Sequence, residues 1–229
     1  MKISVIMPAY NERATILEII SRVQAVDLPK EILVVDDGSR DGTRKILQDL
    51  TGPGLRIFFH ERNRGKGAAI RTALPYVTGE ILIIQDADLE YDPAEYPKLI
   101  APITAGAADV VYGSRFLGRG RGSAGILHYA ANRLLTAISN LFTGLRLTDM
   151  ETCYKALRVD LVRRLELVSN SFEIEPEITA KAARLGARFR EVPIHYAGRS
   201  YGEGKKIGLC DGIRALRTIL RYGMPRARR

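Results

Sequence analysis

The 229-residue chain carries only two cysteines, Cys153 and Cys210, and three histidines, His60, His128 and His195. The cysteines stand too far apart to form a metal-binding pattern, and the histidines are too scattered for a zinc site. His60 falls at a strand end, His128 in a helix and His195 in a strand, so each reads as structural. The N-terminus has no leader-like segment. With so few cysteines, a reducing cytoplasmic compartment fits best. No uninterrupted apolar run approaches the roughly 20 residues needed to cross a bilayer, so any membrane contact is expected to be peripheral, on the cytoplasmic face. No glycine-rich run ends in Gly-Lys-Ser or Gly-Lys-Thr, which excludes a Walker A loop. The nearest approach to a dinucleotide fingerprint has Ile70 where the third glycine belongs. No repeat, no low-complexity domain and no aromatic-studded basic motif is present, so nucleic acid is not an expected partner.

What is present is an ordinary globular composition, 46% hydrophobic and 27% charged, on a chain long enough to bury a core without staples. The net charge of +9 is unevenly placed. From Lys181 to Arg229 there are 13 basic against 3 acidic residues, a surplus of +10 that leaves −1 for the other 180. The basic character therefore belongs to the C-terminal part, which suits an anionic lipid surface or a phosphorylated ligand.

Along the chain, short apolar runs alternate with helical patterns. Strands are expected at Lys2–Met7, Glu31–Val35, Leu55–His60, Glu80–Gln85 and Asp109–Tyr112. Helices are expected at Ala14–Val26, Asp41–Leu50, Gly67–Val77 and Pro93–Ile103. This alternation predicts a mostly parallel α/β sheet with helices on both faces. After Gly113 the pattern changes. A basic loop containing Arg119 and Arg121 precedes a long helix over Ile126–Phe142. A short strand follows over Thr152–Leu157, then a helix over Glu175–Leu185, a strand over Phe189–Tyr196, and a last helix near Leu209–Tyr222. In the Ile126–Phe142 helix, Leu134, Leu135, Ile138 and Leu141 have core spacing.

The chemistry concentrates at strand ends. The fourth strand ends in Gln85-Asp86-Ala87-Asp88-Leu89-Glu90. If the chain stays extended, Asp86, Asp88 and Glu90 share one side. Carboxylate oxygens gathered there suit a hard divalent cation such as magnesium or manganese. In open α/β sheets the carboxyl edge is also where ligands bind. The first strand ends in Met7-Pro8-Ala9-Tyr10-Asn11-Glu12, and the second in Val35-Asp36-Asp37-Gly38-Ser39. Asp37 is placed to accept from a base or ribose, whereas Asp41 reads as a helix cap. The third strand leads into Arg62-Asn63-Arg64-Gly65-Lys66-Gly67, where glycines permit close backbone approach to a ligand and a helix N-terminus favours an anion.

Pro8-Ala9-Tyr10-Asn11-Glu12, Val34-Val35-Asp36-Asp37-Gly38-Ser39, the Arg-Gly-Lys-Gly loop and Asp86-Ala87-Asp88 occur in order at successive strand ends. Together they resemble family 2 glycosyltransferases with a GT-A fold, over essentially the whole chain. Gly113-Ser114-Arg115, Thr148 to Lys155 and Arg199 to Lys205 are similar to the polyprenyl-phosphate sugar synthases, such as dolichyl-phosphate mannose or glucose synthases. The resemblance implies a catalytic domain over residues 1–205 and a basic amphipathic C-terminal helix and tail over 206–229. It implies that Pro8, Tyr10, Glu12, Val35 and Asp37 hold the base and ribose of a nucleotide-sugar, with Lys66 and Ala87 also in the donor site. Asp86 and Asp88 would bind the Mg2+ or Mn2+ that bridges the diphosphate. Glu90 stands where the mannose synthases commonly have a glutamine ligand. Arg115 would hold phosphates or acceptor. Arg199, Gly202 and Lys205, assisted by Ser200 and Lys206, match a basic loop that closes over the donor diphosphate.

The implied reaction is inverting transfer of a hexose, from a GDP-mannose or UDP-glucose type of donor, to a polyprenyl phosphate. A metal, Arg and Lys would neutralise the leaving diphosphate. A phosphate acceptor is already anionic and needs little help from a base, whereas a sugar hydroxyl needs one. For the alternative, a family 2 enzyme with a hydroxyl acceptor, Asp149 is the first candidate base and Glu151 the second. Either can equally serve to orient Arg115. A non-catalytic nucleotide-sugar or nucleic-acid binding module is the remaining reading, and the intact acidic cluster argues against it. Arg119, Arg121 and Arg133 are further candidates for an acceptor phosphate. In the last helix, Leu209, Ile213, Leu216 and Leu220 recur on about one face, beside Arg214, Arg217 and Arg221. That pattern suits a helix lying at an anionic lipid surface.

Overall fold

The computed structural model describes residues 1–117, 126–198 and 209–223; in the helices beginning at Ile126 and Leu209, side chains are described from Tyr129 and Asp211 onward. The expected Arg119, Arg121, Arg199, Ser200, Gly202, Lys205 and Lys206 lie outside the described residues. The first half alternates as the apolar runs require: β1 (Ile3–Ala9), α1 (Ile16–Ala25), β2 (Lys30–Asp36), α2 (Thr43–Gln48), β3 (Leu55–Phe59), α3 (Lys66–Ala73), β4 (Ile81–Ile84), α4 (Tyr96–Thr104) and β5 (Val110–Ser114). The second half adds α5 (Ile126–Thr143), β6 (Lys155–Arg158), α6 (Val159–Arg164), α7 (Ile174–Arg184), β7 (Phe189–Pro193) and α8 (Leu209–Gly223).

The seven strands form one sheet in the order β3-β2-β1-β4-β6-β5-β7. All neighbours are parallel except β6, which runs antiparallel to both β4 and β5. Strand side chains alternate between two cores. Ile3, Val5, Met7, Ile32, Val34, Ile81 and Ile83 face one core with α1 and α4; Ile6, Leu33, Val35, Leu82 and Ile84 face the other with α3, α6 and α7. Burial on both faces explains why these strands read as continuous apolar runs and not as alternating ones. The chain runs outward from β1 through β2 and β3, then crosses back to place β4 on the other side of β1. The carboxyl ends of β1 and β4 therefore flank a topological switch point, the place where open α/β sheets bind ligands.

α5 buries polar residues beside apolar ones. Thr136 and Ser139 are buried, while Leu134 is 62% and Leu141 80% exposed. Of the four residues with core spacing, only Leu135 and Ile138 pack toward the core. The cause is polar. Thr136 accepts the Met150 N–H at 3.1 Å, and Asn140 bonds both the N–H (3.0 Å) and the carbonyl (2.8 Å) of Leu147. The polar face of α5 thus holds the segment that enters β6, and Leu134 and Leu141 turn outward. α8 packs through Ala215, Thr218 and Ile219, leaving Ile213, Arg214, Arg217, Leu220 and Arg221 exposed.

Candidate active site

The turn after β1 is built by Asn11, a non-glycine residue with φ of 53°. Its N–H donates to Ser39 Oγ at 2.9 Å and its Oδ1 accepts the Arg40 N–H at 2.9 Å. Asparagine tolerates this left-handed conformation because its short polar side chain bonds locally. Thr15 joins the same turn to the next strand end, its hydroxyl lying 3.1 Å from Glu12 Oε2 and 2.9 Å from the Ala87 carbonyl. The N-cap of α2 is Gly42, without a side-chain cap bond; Asp41, one residue earlier, accepts the Thr43 N–H at 3.0 Å and the Arg13 N–H at 3.0 Å.

Asp37 is 2% exposed and both its oxygens are engaged. Oδ1 accepts the Arg64 N–H at 2.8 Å and lies 2.6 Å from His60 Nδ1; Oδ2 accepts the Gly65 N–H at 2.8 Å. The carboxylate expected to meet the nucleotide therefore also holds the loop ahead of α3. His60 completes the clamp by placing Nε2 2.9 Å from Thr72 Oγ1. The glycines of this loop serve a backbone approach of a different kind from that expected. A Cβ on Gly65 (φ +97°) would lie 2.3 Å from the Asn170 carbonyl oxygen, and one on Gly67 2.4 Å from that of Ser169. The Ala68 N–H donates to the Asn170 carbonyl at 2.9 Å. α3 is thus pressed onto the chain ahead of α7, and Lys66 is fixed between two packed glycines.

β4 ends at Ile84, and the following residues bend. The Glu90 N–H turns back onto Asp88 Oδ1 at 3.1 Å. Extended alternation therefore does not carry Asp86, Asp88 and Glu90 onto one side. Glu90 instead accepts the Tyr196 hydroxyl on Oε2 at 2.8 Å, and its carbonyl accepts the Ala197 N–H at 3.0 Å. It anchors the chain leaving β7, and among the described residues no three His, Cys, Asp or Glu side chains are grouped to hold a metal. Asp86 and Asp88 remain. Two carboxylates at a partly open edge fit Mg2+ or Mn2+, which commonly takes one or two carboxylates and completes its shell with phosphate oxygens and water.

Asp86 Oδ1 lies 2.6 Å from Lys66 Nζ, whose other side is 3.0 Å from Glu175 Oε1. Glu175 Oε2 lies 2.5 Å from Lys155 Nζ. Lys155 is fully buried between β4 and β5, opposite Ile84 and Tyr112, with its ammonium 4.6 Å from the Tyr112 ring centroid. Burial disfavours the charged form of Lys66, yet Asp86 and Glu175 beside it hold its pKa well above the ordinary range. Burial also pushes up the Cys153 thiol, which hydrogen-bonds Asp86. Lys155, Cys153 and Glu175 were not singled out in the sequence as site residues. Their signal is weak: a lone lysine opening the apolar Ala156-Leu157 run, and a glutamate inside Ile174–Ile178.

On the other side of the site, Asp149 is fully buried and grips Arg115 with both oxygens, at 2.7 Å to Nε and 2.8 Å to Nη2. It also accepts the Arg115 N–H at 3.0 Å. Arg115 is stacked over the Tyr196 ring at 5.1 Å and Phe116 at 5.5 Å. Of the two roles open to Asp149, orientation of Arg115 is the one its contacts fill. Glu151 differs. Its Oε1 is buried with no hydrogen-bond partner, and burial, opposed by Lys155 and reinforced by Glu175, pushes its pKa up to about 7. Pro8, Tyr10, Glu12, Val35 and Ala87 stand at the carboxyl ends of β1, β2 and β4, on the same edge.

Residues 4–166 match the model of glycosyl transferase family 2. The chain is 28% identical to an undecaprenyl-phosphate mannosyltransferase of Micrococcus luteus, covering 98% of this chain and 95% of that one. It is 31% identical to a dolichol-phosphate mannosyltransferase of Pyrococcus furiosus, covering 91% of this chain but 60% of that longer protein. Glucosyl-3-phosphoglycerate synthase of Mycobacterium tuberculosis, solved with Mn2+, UDP and glucosyl-3-phosphoglycerate, superposes with a TM-score of 0.71 at 25% identity, over 99% of this chain and 81% of that one. No helix among the described residues is long and apolar enough to cross a membrane. The topological switch point, the aspartates that follow β4 beside it and the family match over most of the chain converge: this protein belongs to glycosyl transferase family 2 and has the GT-A fold.

Proposed function

We propose that the protein transfers a hexose, with inversion, from a nucleotide-sugar to a polyprenyl phosphate. The observation that carries the choice of acceptor is the engagement of Asp149. The carboxylate expected to deprotonate a hydroxyl is tied to Arg115 by two side-chain contacts and one backbone N–H. A phosphate acceptor attacks as an anion and needs no such base. The near full-length likeness to an undecaprenyl-phosphate mannosyltransferase supports the same reading.

Asp86 and Asp88 would hold a divalent cation, as the Mn2+ complex of the mycobacterial synthase supports. When bound, that cation neutralises charge developing on the leaving diphosphate. The chain's own residues do the remainder. The strand ends at Pro8–Glu12 and Val35–Asp37 line the donor side, and Lys66 brings positive charge to Asp86. Arg115, stacked on Tyr196 and aligned by Asp149, presents a fixed cation on the acceptor side. Arg199 and Lys205 are proposed to add positive charge over the donor. A GDP-mannose or UDP-glucose type of donor fits the family.

The acceptor lies in a membrane, and the exposed residues of α5 and α8 suit one. Leu134 and Leu141 are exposed on α5, and Ile213 and Leu220 on α8 together with Arg214, Arg217 and Arg221. An apolar face rimmed by arginines binds an anionic interface peripherally. One observation favours a second reading, a hydroxyl acceptor. Glu151, with a pKa pushed up to about 7, is suited to general-base work near neutrality. A donor panel of GDP-mannose and UDP-glucose against a short polyprenyl phosphate, with and without Mn2+, separates the two. Metal-dependent formation of a mild-acid-labile lipid product is expected. Transfer to soluble sugars alone would refute the lipid assignment.

A further inference from the structure

Lys66 stands between two carboxylates, its ammonium 2.6 Å from Asp86 and 3.0 Å from Glu175. The Lys66 and Glu175 side chains are 8% and 2% exposed, so water does little to screen them. The backbone of Lys66 is pinned on both sides, by the Gly65–Asp37 bond and by the packing of Gly67 on Ser169. Only its side chain is left to adjust. Beyond Glu175 the alternation ends in Lys155, which is held by the Met150 and Thr152 carbonyls as well as by Glu175. The run Asp86, Lys66, Glu175, Lys155 is electrically neutral, and Asp86, with 19% of its side chain exposed, is its open end.

A divalent cation at Asp86 would meet an ammonium already in contact with the same carboxylate. Two cations on one carboxylate repel, and burial leaves that repulsion poorly screened. We infer that Lys66 is a resident counter-ion of Asp86 that withdraws onto Glu175 when the metal arrives. The affinity of the donor-free protein for metal is then set by how well Glu175 takes up the ammonium. The inference rests on the reading of Asp86 and Asp88 as metal ligands. It adds a positioning role for Lys66 and Glu175 and a reason for metal and donor to bind together. A nucleoside diphosphate brings negative charge to the same ammonium and relieves the competition.

The test is Mn2+ binding followed by electron paramagnetic resonance on the full chain, with no donor and then with UDP or GDP. Lys66→Gln is expected to tighten donor-free Mn2+ binding roughly ten-fold, within the range usual for coupled sites. Glu175→Asp keeps the charge but shortens the reach to Lys66, and is expected to weaken Mn2+ binding by a similar factor. In the Lys66→Gln background the Glu175→Asp effect should vanish. Additive effects in the double variant, or no effect of Glu175→Asp in the folded protein, would overturn the exchange. If the wild type shows no saturable Mn2+ binding with or without nucleotide, and Asp88→Asn changes nothing, the metal reading itself fails instead.

Discussion

Replacing Glu151 by Gln should stabilise the protein above about pH 4.5, by an amount that grows with pH and is complete above about pH 7. The folded state holds this carboxyl at about 7 against an ordinary 4.5, because burial outweighs the nearby Lys155. Between those two values the folded chain keeps a proton that the unfolded chain has released. Stability therefore falls as pH rises through that window, by ~1.4 kcal/mol per pH unit, and levels off above the folded value. Carried across the window, burying the charged form costs ~3 kcal/mol at most. Gln has nearly the same shape and cannot ionise. The stability difference between Glu151→Gln and wild type should therefore be near zero at about pH 4.5 and approach ~3 kcal/mol at about pH 8. Paired urea unfolding curves at the two pH values measure it, and other titrating groups cancel in the difference. A pH-independent difference would refute the reasoning, since it would mean that Glu151 is ionised throughout and its unpartnered oxygen is solvated. Activity adds a second reading from the same variant. With a phosphate acceptor Glu151→Gln retains turnover, and with a hydroxyl acceptor it loses it together with the acidic limb of the pH–rate profile.

Asp149→Asn should lower transfer by displacing Arg115, and should cost ~3 kcal/mol because a buried cation loses its partner; unchanged thermal unfolding and unchanged KM for acceptor would contradict this. Gly65→Ala places a Cβ 2.3 Å from the Asn170 carbonyl in a left-handed backbone, so a loss of at least ~2 kcal/mol is expected in chemical denaturation. Asp37→Ala frees the Arg64 and Gly65 N–H groups and His60 together, and should raise KM for donor more than it lowers kcat; equal effects on both would point to a role in the chemistry. Removal of metal by EDTA should stop transfer and addition of Mn2+ should restore it, with Asp88→Ala folded but inactive under both conditions.

The parallel half of the fold was legible because β1, β2 and β4 are buried on both faces and appear as unbroken runs such as Ile81–Ile84. The antiparallel β6 was not, since a four-residue strand carries no mark of its direction. α6 escaped notice because Val159–Arg164 is short and half charged. Asp86-Ala87-Asp88 fell at the expected edge, but the placing of Glu90 beside them assumed an extended chain, and the Glu90 N–H donating to the Asp88 carboxylate shows a bend. Lys155 and Glu175 were hidden for a simpler reason. A sequence prices each charge singly, as exposed, whereas here two buried charges are tolerable because they face one another. α5 misled in the opposite direction: its leucines have core spacing, but the hydrogen bonds of Thr136 and Asn140 decide which side faces inward.

The reversed direction of β6 has a consequence for how the site is assembled. Because β6 runs against its neighbours, it begins where they end, with Lys155 opposite Ile84. The segment Thr148–Tyr154 is thus delivered to the site by the approach to a strand, whereas Pro8–Glu12, Asp37 and Asp86–Asp88 are delivered by departures from strands. The two sides of the site are therefore separate lengths of chain, one leaning on α3 and the other on α5, joined to each other through Asp86, Lys66, Glu175 and Lys155.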